Sequence, residues 1–255
     1  MSLRHEHALY DHYDCEPCLL NQRNTSFHRQ SKTQLGVEPR SKMFGDRWNI
    51  DLIDMNMESL PHGYTIGMIM DDDASGLYAV RFLRNKQPDG VHRAAQSLTG
   101  AYAELLAKNP LKVLHMDNGG EFTDLPEFCA KLSARATYNV PETPQDNAGA
   151  ERGFGVLLRQ TRIILAAAGL TDRLWPYAFT YVCWVHNSLP SRKHDPPISP
   201  YEFAYTKLPN LGLIHTFGCA CYVPLSEREK KIYVKTAPSR AKAVHLGFDG
   251  RTMGY

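Results

Sequence analysis

From Trp48 onward the chain settles into short alternating and apolar runs. The segment 48–54 (WNIDLID) alternates apolar and polar residues, which predicts a half-buried strand. The apolar run 64–70 (YTIGMIM) suits a buried strand, and 77–83 (LYAVRFL) makes a third. Leu-Pro-His-Gly and Asp-Ala-Ser-Gly stand before the second and third, so the first half reads as largely antiparallel. A helical pattern follows over 91–108 and stops at Asn109-Pro110. Residues 111–116 (LKVLHM) read as a fourth strand, broken by Asp117-Asn118-Gly119-Gly120. A short helix over 125–132 and a short strand over 136–140 come next. The Pro-rich loop 141–147 then leads into a long helix over 148–168. Phe154, Leu157, Leu158, Ile164, Leu165 and Ala168 share one face of that helix, while Arg152, Arg159 and Arg162 lie largely elsewhere. Gly153 and Gly155, in its second turn, each cost the helix about 1 kcal/mol relative to alanine. The last predicted helix, 172–188, sets Trp175, Tyr177, Phe179, Tyr181 and Trp184 at helical spacing beside Leu174 and Val182, the pattern of a packed core. This order implies a mixed α/β fold with crossovers in its second half.

The flanks differ in character. Residues 1–20 hold His5, His7, His12 and a Cys15-x-x-Cys18 pair, and 21–45 is a polar stretch without a period. Beyond Pro190 the chain becomes Pro-rich, then strand-like near 219–223 and basic toward its end. We therefore expect a partial zinc-binding module at 1–20, a linker at 21–45, a core at 46–190 and a C-terminal extension at 191–255. Six scattered cysteines do not form the framework of a small secreted domain, and the first residues hold no apolar signal run. Both point to an intracellular setting, with no membrane partner expected. Cys219 and Cys221 read as buried packing residues.

Charge adds little until it is divided. Residues 51–150 contain 14 acidic and 8 basic side chains, so a net −6 centre lies between flanks that together hold +8. A carboxylate-rich middle with basic ends suits an enzyme that concentrates metal ions and grips a polyanion, although uneven charge is also common in soluble proteins. The basic tail (Arg228, Lys230, Lys231, Lys235, Arg240, Lys242 and Arg251) is a candidate for phosphate contact, or a solvated face.

Three acids stand where this layout can gather them. Asp51 lies inside the first strand, Asp117 just beyond the fourth, and Glu151 in the first turn of the long helix. Metal-assisted phosphoryl transfer needs hard oxygen ligands around two divalent ions roughly 3.5–4 Å apart. An aspartate within an apolar strand is costly to bury unless something neutralises it, and a metal would. Asp71-Asp72-Asp73 is a competing cluster, read as a solvated turn because it ends a strand before Ala-Ser-Gly.

Several strings then resemble, in order, the segments of integrases from copia-type LTR retrotransposons. These are GDRWNIDL (45–52), HMDNGGEF (115–122), PETPQDNAGAER (141–152), GLTDRLWPYAF (169–179), NSLPSRK (187–193), ISPYEFAY (198–205), FGCACYV (217–223) and AVHLGFDG (243–250). Asp117 and Glu151 are separated by 33 residues, close to the roughly 35 described for this class. The resemblance implies an RNase H-like five-stranded mixed sheet flanked by helices. It also implies a catalytic triad of Asp51, Asp117 and Glu151 binding Mg²⁺ or Mn²⁺, and 3′-end processing and strand transfer of element cDNA into target DNA. Asn118, Gln145, Asn147, Arg152 and Arg159 become the expected DNA contacts, and Cys15 and Cys18 the expected zinc ligands. DNA, a homo-oligomer and a nuclear location follow from the same source. Relatives carry Asn and Arg just after the glutamate, where this chain has Phe154 and Gly155. The alternatives are an inactive retroelement remnant with residual nucleic-acid binding, an RNase H-like nuclease that cuts without joining, and a zinc-dependent transcription factor.

Overall fold

The computed structural model describes residues 16–20, 41–139, 148–226 and 239–247. Its centre is a five-stranded sheet in the order β3-β2-β1-β4-β5. The strands are β1 (Arg47–Asp54), β2 (Ile66–Asp72), β3 (Tyr78–Leu83), β4 (Val113–Met116) and β5 (Arg135–Tyr138). β1, β2 and β3 form an antiparallel meander, while β4 and β5 run parallel to β1. Helices α2 (Pro88–Ala101), α3 (Ala103–Lys108), α4 (Leu125–Lys131), α5 (Ala148–Ala168), α6 (Trp175–Ser188) and α7 (Pro200–Tyr205) surround it, and α1 (Glu16–Leu20) precedes it. This is the RNase H-like arrangement that the resemblance implied. A two-stranded hairpin of β6 (Ala220–Pro224) and β7 (Arg240–Val244) follows.

Strand periodicity assigns the two faces of the sheet. Trp48 and Ile50 of β1 join Met68, Met70 and Ala79 in one buried cluster, covered by Val91, Ala94, Ala95 and Leu98 of α2. On the other face, Ile69, Tyr78 and Val80 pack against Phe154 and Leu157 of α5 and against Phe179, Val182 and Cys183 of α6. All seven residues of β2 are buried, because the strand lies between two neighbours and under both helical layers. Trp175 and Phe179 are core, as their spacing predicted, and Trp175 meets Phe82 edge-on at 5.0 Å.

The predicted helix over 91–108 is two helices. Tyr102 leaves helical geometry (φ −109°, ψ 18°) and its ring packs against Phe44 at 5.8 Å and Trp48 at 6.0 Å. That aromatic contact closes the cluster beneath α2 and outweighs an unbroken helix. The edge strand β3 is closed by side chains rather than by another strand. Asn187 accepts the Tyr78 N–H at 2.9 Å and donates to its carbonyl at 2.7 Å, and Arg81 donates to the Val80 carbonyl at 2.8 Å.

The two glycines of α5 have different reasons. A Cβ on Gly153 would fall on the Tyr78 hydroxyl, so only glycine lets the helix approach β3 this closely. Phe154 follows it into the core against Tyr78, which accounts for an apolar residue at this position of the helix. Gly155 meets nothing within 4 Å. Gly155→Ala should therefore raise stability by about 0.5–1 kcal/mol through helix propensity. Gly153→Ala should lower it by about 1–3 kcal/mol, as for an overpacked core. Urea denaturation midpoints check both, and an equal response at the two positions would refute this account.

Candidate active site

Asp51 is placed by the sheet register. It pairs with Ile69, which pairs with Val80, and residues opposite one another across antiparallel strands share a face. Ile69 and Val80 lie under α5 and α6, so Asp51 projects from the face that those helices cover. It is half-buried, and its Oδ1 accepts the Leu52 N–H at 2.8 Å.

Asp117 reaches the same place by the parallel pairing of β1 with β4. Asn49 lies level with His115. Beyond that pair Asp51 continues along β1 and Asp117 opens the turn just after β4, so both acids lie toward the same end of the β1–β4 pairing. The turn after β4 is held on several sides. Gly119 N–H donates to Asp117 Oδ1 at 3.0 Å, Asn118 Nδ2 donates to the Asn139 carbonyl at 2.9 Å, and Asn139 N–H donates to the Met116 carbonyl at 3.1 Å. His115 is buried beneath this turn, hydrogen-bonded through Nδ1 to Thr137 Oγ1 at 2.9 Å and through Nε2 to Asn139 Oδ1 at 2.7 Å.

Glu121 is an acid that the sequence reading passed over. A Cβ on Gly119 would come 2.5 Å from Glu121 Oε2 and 3.0 Å from Asp117 Oδ1, so two carboxylates converge on that glycine. An acid four residues after Asp117, beyond a Gly-Gly turn, was the available signal. Turn geometry, not helical or strand spacing, folds it back.

Glu151 stands in the first turn of α5, with Arg152 beside it; their side chains lie outside the described residues. Gln145, Asn147 and Cys15 lie outside them altogether, and Cys18 falls in α1 with its side chain likewise outside. Arg159 is exposed on α5. Among the described residues, no three His, Cys, Asp or Glu side chains come together as a metal set. The structure thus brings Asp51 and Asp117 toward the same end of the β1–β4 pairing and Glu151 to the first turn of α5. These are hard oxygen donors, one within β1 and one just beyond the neighbouring parallel strand β4, and that donor chemistry fits Mg²⁺ or Mn²⁺.

Asp71-Asp72-Asp73 is not a solvated turn. Asp72 is fully buried and accepts the Gly45 N–H (2.8 Å), the Ser75 N–H (2.8 Å) and the Ser75 hydroxyl (2.7 Å). Asp73 accepts the Ser41 N–H at 3.0 Å. The reason is that β2 runs two residues further than its apolar run and is closed over by the segment before β1. Asp71 is buried opposite Asn49, whose Nδ2 is 3.4 Å away, and burial pushes its carboxyl up to about 6 against the opposing charge of Lys193. Cys219 and Cys221 also differ from expectation. They are half-buried on the outer hairpin, because β6 has only β7 beside it.

The sheet order, β3-β2-β1-β4-β5 with β4 and β5 parallel to β1, is that of an RNase H-like core, and a solved structure agrees in fold. A chain of the cryo-EM structure of the simian T-cell lymphotropic virus intasome in complex with PP2A regulatory subunit B56 gamma superposes with a TM-score of 0.55 at 16% identity. That match covers 85% of this chain and 73% of that one, and it shows the fold. The HTLV-2 integrase catalytic core domain in complex with magnesium matches 65% of this chain and all of its own, with a TM-score of 0.49 and 15% identity. The chain is homologous to Pol polyproteins of copia-type plant transposons. The retrovirus-related Pol polyprotein from transposon TNT 1-94 of Nicotiana tabacum is 28% identical over 252 residues, 94% of this chain and 17% of the polyprotein. Those from transposons RE2 and RE1 of Arabidopsis thaliana are 31% identical over 113 residues and 25% over 215 residues. They are matched over 7% and 13% of their own lengths, so the chain corresponds to a small part of each relative. No family model matches.

The burial of Asp71 has a pH signature. Its folded pKa, about 6, lies above the ordinary carboxylate value, so between about pH 4 and 6 the folded state binds more protons than the unfolded state. Its contribution to stability therefore falls as pH rises through that window and stays unfavourable above it. Asp71→Asn should be more stable than the parent at pH 7, by on the order of 2 kcal/mol, with the difference vanishing near pH 4. Denaturation of both proteins across pH 4–7 checks this. A difference independent of pH would refute it.

Proposed function

We propose that this chain is the catalytic core of a retrotransposon integrase, which trims the 3′ ends of element cDNA and joins them to target DNA. The observation that supports it most is the β1–β4 register, with Asp51 on the face beneath α5, Asp117 in the turn that follows the neighbouring parallel strand, and Glu151 in the first turn of α5. Asp51, Asp117 and Glu151 would hold Mg²⁺ or Mn²⁺. When bound, such ions lower the pKa of an attacking water or hydroxyl and stabilise the leaving oxygen.

The remaining roles belong to the chain itself. Asp117 is presented in one orientation because Gly119 N–H fixes its Oδ1. Asn118, tied to the Asn139 carbonyl, lies exposed at the mouth of the turn, where it can meet a DNA backbone. Arg152 and Arg159 are the α5 cations proposed to meet phosphates, and Gln145 and Asn147 belong to the adjoining loop. We place the enzyme with its DNA in the nucleus, acting as a homo-oligomer, with Cys15 and Cys18 as zinc ligands.

Strand transfer with Mg²⁺ or Mn²⁺ and labelled element ends tests the reading. Asp51→Asn, Asp117→Asn and Glu151→Gln should each lower joining by roughly 10³-fold or more. Asp54→Asn, at the exposed end of β1, should leave it unchanged. Cutting without joining would assign a nuclease instead. No reaction, with calorimetry finding no metal binding that depends on the three acids, would make the chain an inactive remnant.

A further inference from the structure

The far edge of the sheet carries a basic groove that the catalytic reading does not use. It opens between the end of β3 and the first turns of α2, with a volume of about 470 Å³, and is lined by Tyr64, Arg81, Phe82, Arg84 and Arg93 together with backbone at Gly90. Arg81 pairs across the sheet with Met68, on the α2 face, whereas Asp51 lies in the row of Ile69 and Val80 on the α5 face. Phe82, however, pairs with Gly67 and packs with Trp175 on that same α5–α6 side, so the groove wraps around the edge strand β3, two strands away from Asp51 on β1.

Its arginines are not equivalent. Arg81 is structural, its Nε donating to Ser97 Oγ at 2.9 Å and its Nη1 to the Val80 carbonyl. Arg84 donates Nε to the His62 carbonyl at 3.0 Å, which anchors the guanidinium and leaves its two terminal nitrogens without a partner among the described residues. Arg93 reaches Asp89 at 2.8 Å, a pair so exposed (side chains 71% and 66% accessible) that water or a phosphate can compete for it. Asp89 is the one acid against five basic side chains over residues 81–93, counting His92.

The same groove holds an aromatic platform. Tyr64 is half-buried, packed against His62 at 5.4 Å and against Phe82 at 6.0 Å, and Phe82 is braced by Trp175. A ring supported from behind, in a groove that arginines also line, offers an unpaired base a surface to stack on while its phosphates meet arginine. The volume falls in the range of small-ligand sites, roughly 300–1,000 Å³, and suits a nucleotide or two. We propose that this groove binds a single-stranded polynucleotide segment, with phosphates on Arg84 and Arg93 and a base on Tyr64. An acidic peptide would use the same arginines but would be indifferent to the tyrosine ring.

The test uses the full chain bearing Asp117→Asn, without divalent metal, so that its result is independent of the catalytic reading. Fluorescence anisotropy follows binding of a labelled oligothymidylate and of a duplex of equal length. Arg84→Gln and Arg93→Gln should each reduce the slope of log affinity against log salt by roughly 0.7, one phosphate apiece. Tyr64→Ala should weaken oligothymidylate about tenfold, while Tyr64→Phe keeps the ring and the affinity. Unchanged binding in the arginine variants would overturn the proposal. So would a duplex held as tightly as the single strand, or displacement by polyglutamate at equal charge, which would assign the groove to an acidic protein segment.

Discussion

The short parallel contact between β1 and β4 is the constraint on which the rest depends. Three residue pairs form it, from Arg47–Val113 to Asn49–His115. Parallel strands cannot be joined by a tight turn, so the chain between them has to make a crossover. That crossover supplies α2 and α3 and with them the apolar lid over Trp48, Ile50 and Met68. The same pairing carries Asp51 within β1 and delivers Asp117 in the turn just beyond β4. Because the side-chain period of a strand is two, a slip of one residue would turn Asp51 into the α2 core. The packing of Trp48 and Ile50 thus fixes the placement of the acid between them and α5.

A second layer of organisation is polar. Asp72, fully buried, satisfies three donors from the chain ends around β2, and Asn187 satisfies both backbone groups of Tyr78 on the edge strand. Each substitutes for a strand or turn hydrogen bond that the local sequence does not supply. Tyr78 is the meeting point: its backbone is held by α6, its ring rests on Phe154, and its hydroxyl occupies the space left by Gly153. The position of the first turns of α5 above the sheet, and so of Glu151, depends on that fit.

Where periodicity governs, the sequence was legible. Alternation in 48–54 marked β1 and its faces, and the apolar positions of 148–168 marked α5 with the boundaries the structure has. Legibility failed where a tertiary contact decided the outcome. Nothing local shows that Tyr102 will leave its helix for Trp48 and Phe44, or that three consecutive aspartates will be closed over by residues 41–46. Glu121 was missed because its proximity to Asp117 arises in a turn, where spacing has no fixed meaning. For Cys219 and Cys221 the apolar strand pattern was read as burial, but a two-stranded hairpin has only one neighbour to offer.

The apolar residue after Glu151 shows how packing and charge are traded within this fold. Phe154 lies in the core, and Gly153 and Gly155 have no side chains, so after Arg152 the second turn of α5 carries no further cation. Positive charge on that helix begins again at Arg159, four residues after Gly155 and more than one turn along, and continues at Arg162. Further charge collects at the β3 edge, where Arg84 and Arg93 line a groove with a braced tyrosine although the surrounding hundred residues are net acidic. Exposed cations set against an acidic background act locally, since screening confines surface charge to about 8–10 Å. Phosphates near this protein would therefore meet positive charge at separate positions, on α5 and at the β3 edge, rather than as one continuous patch.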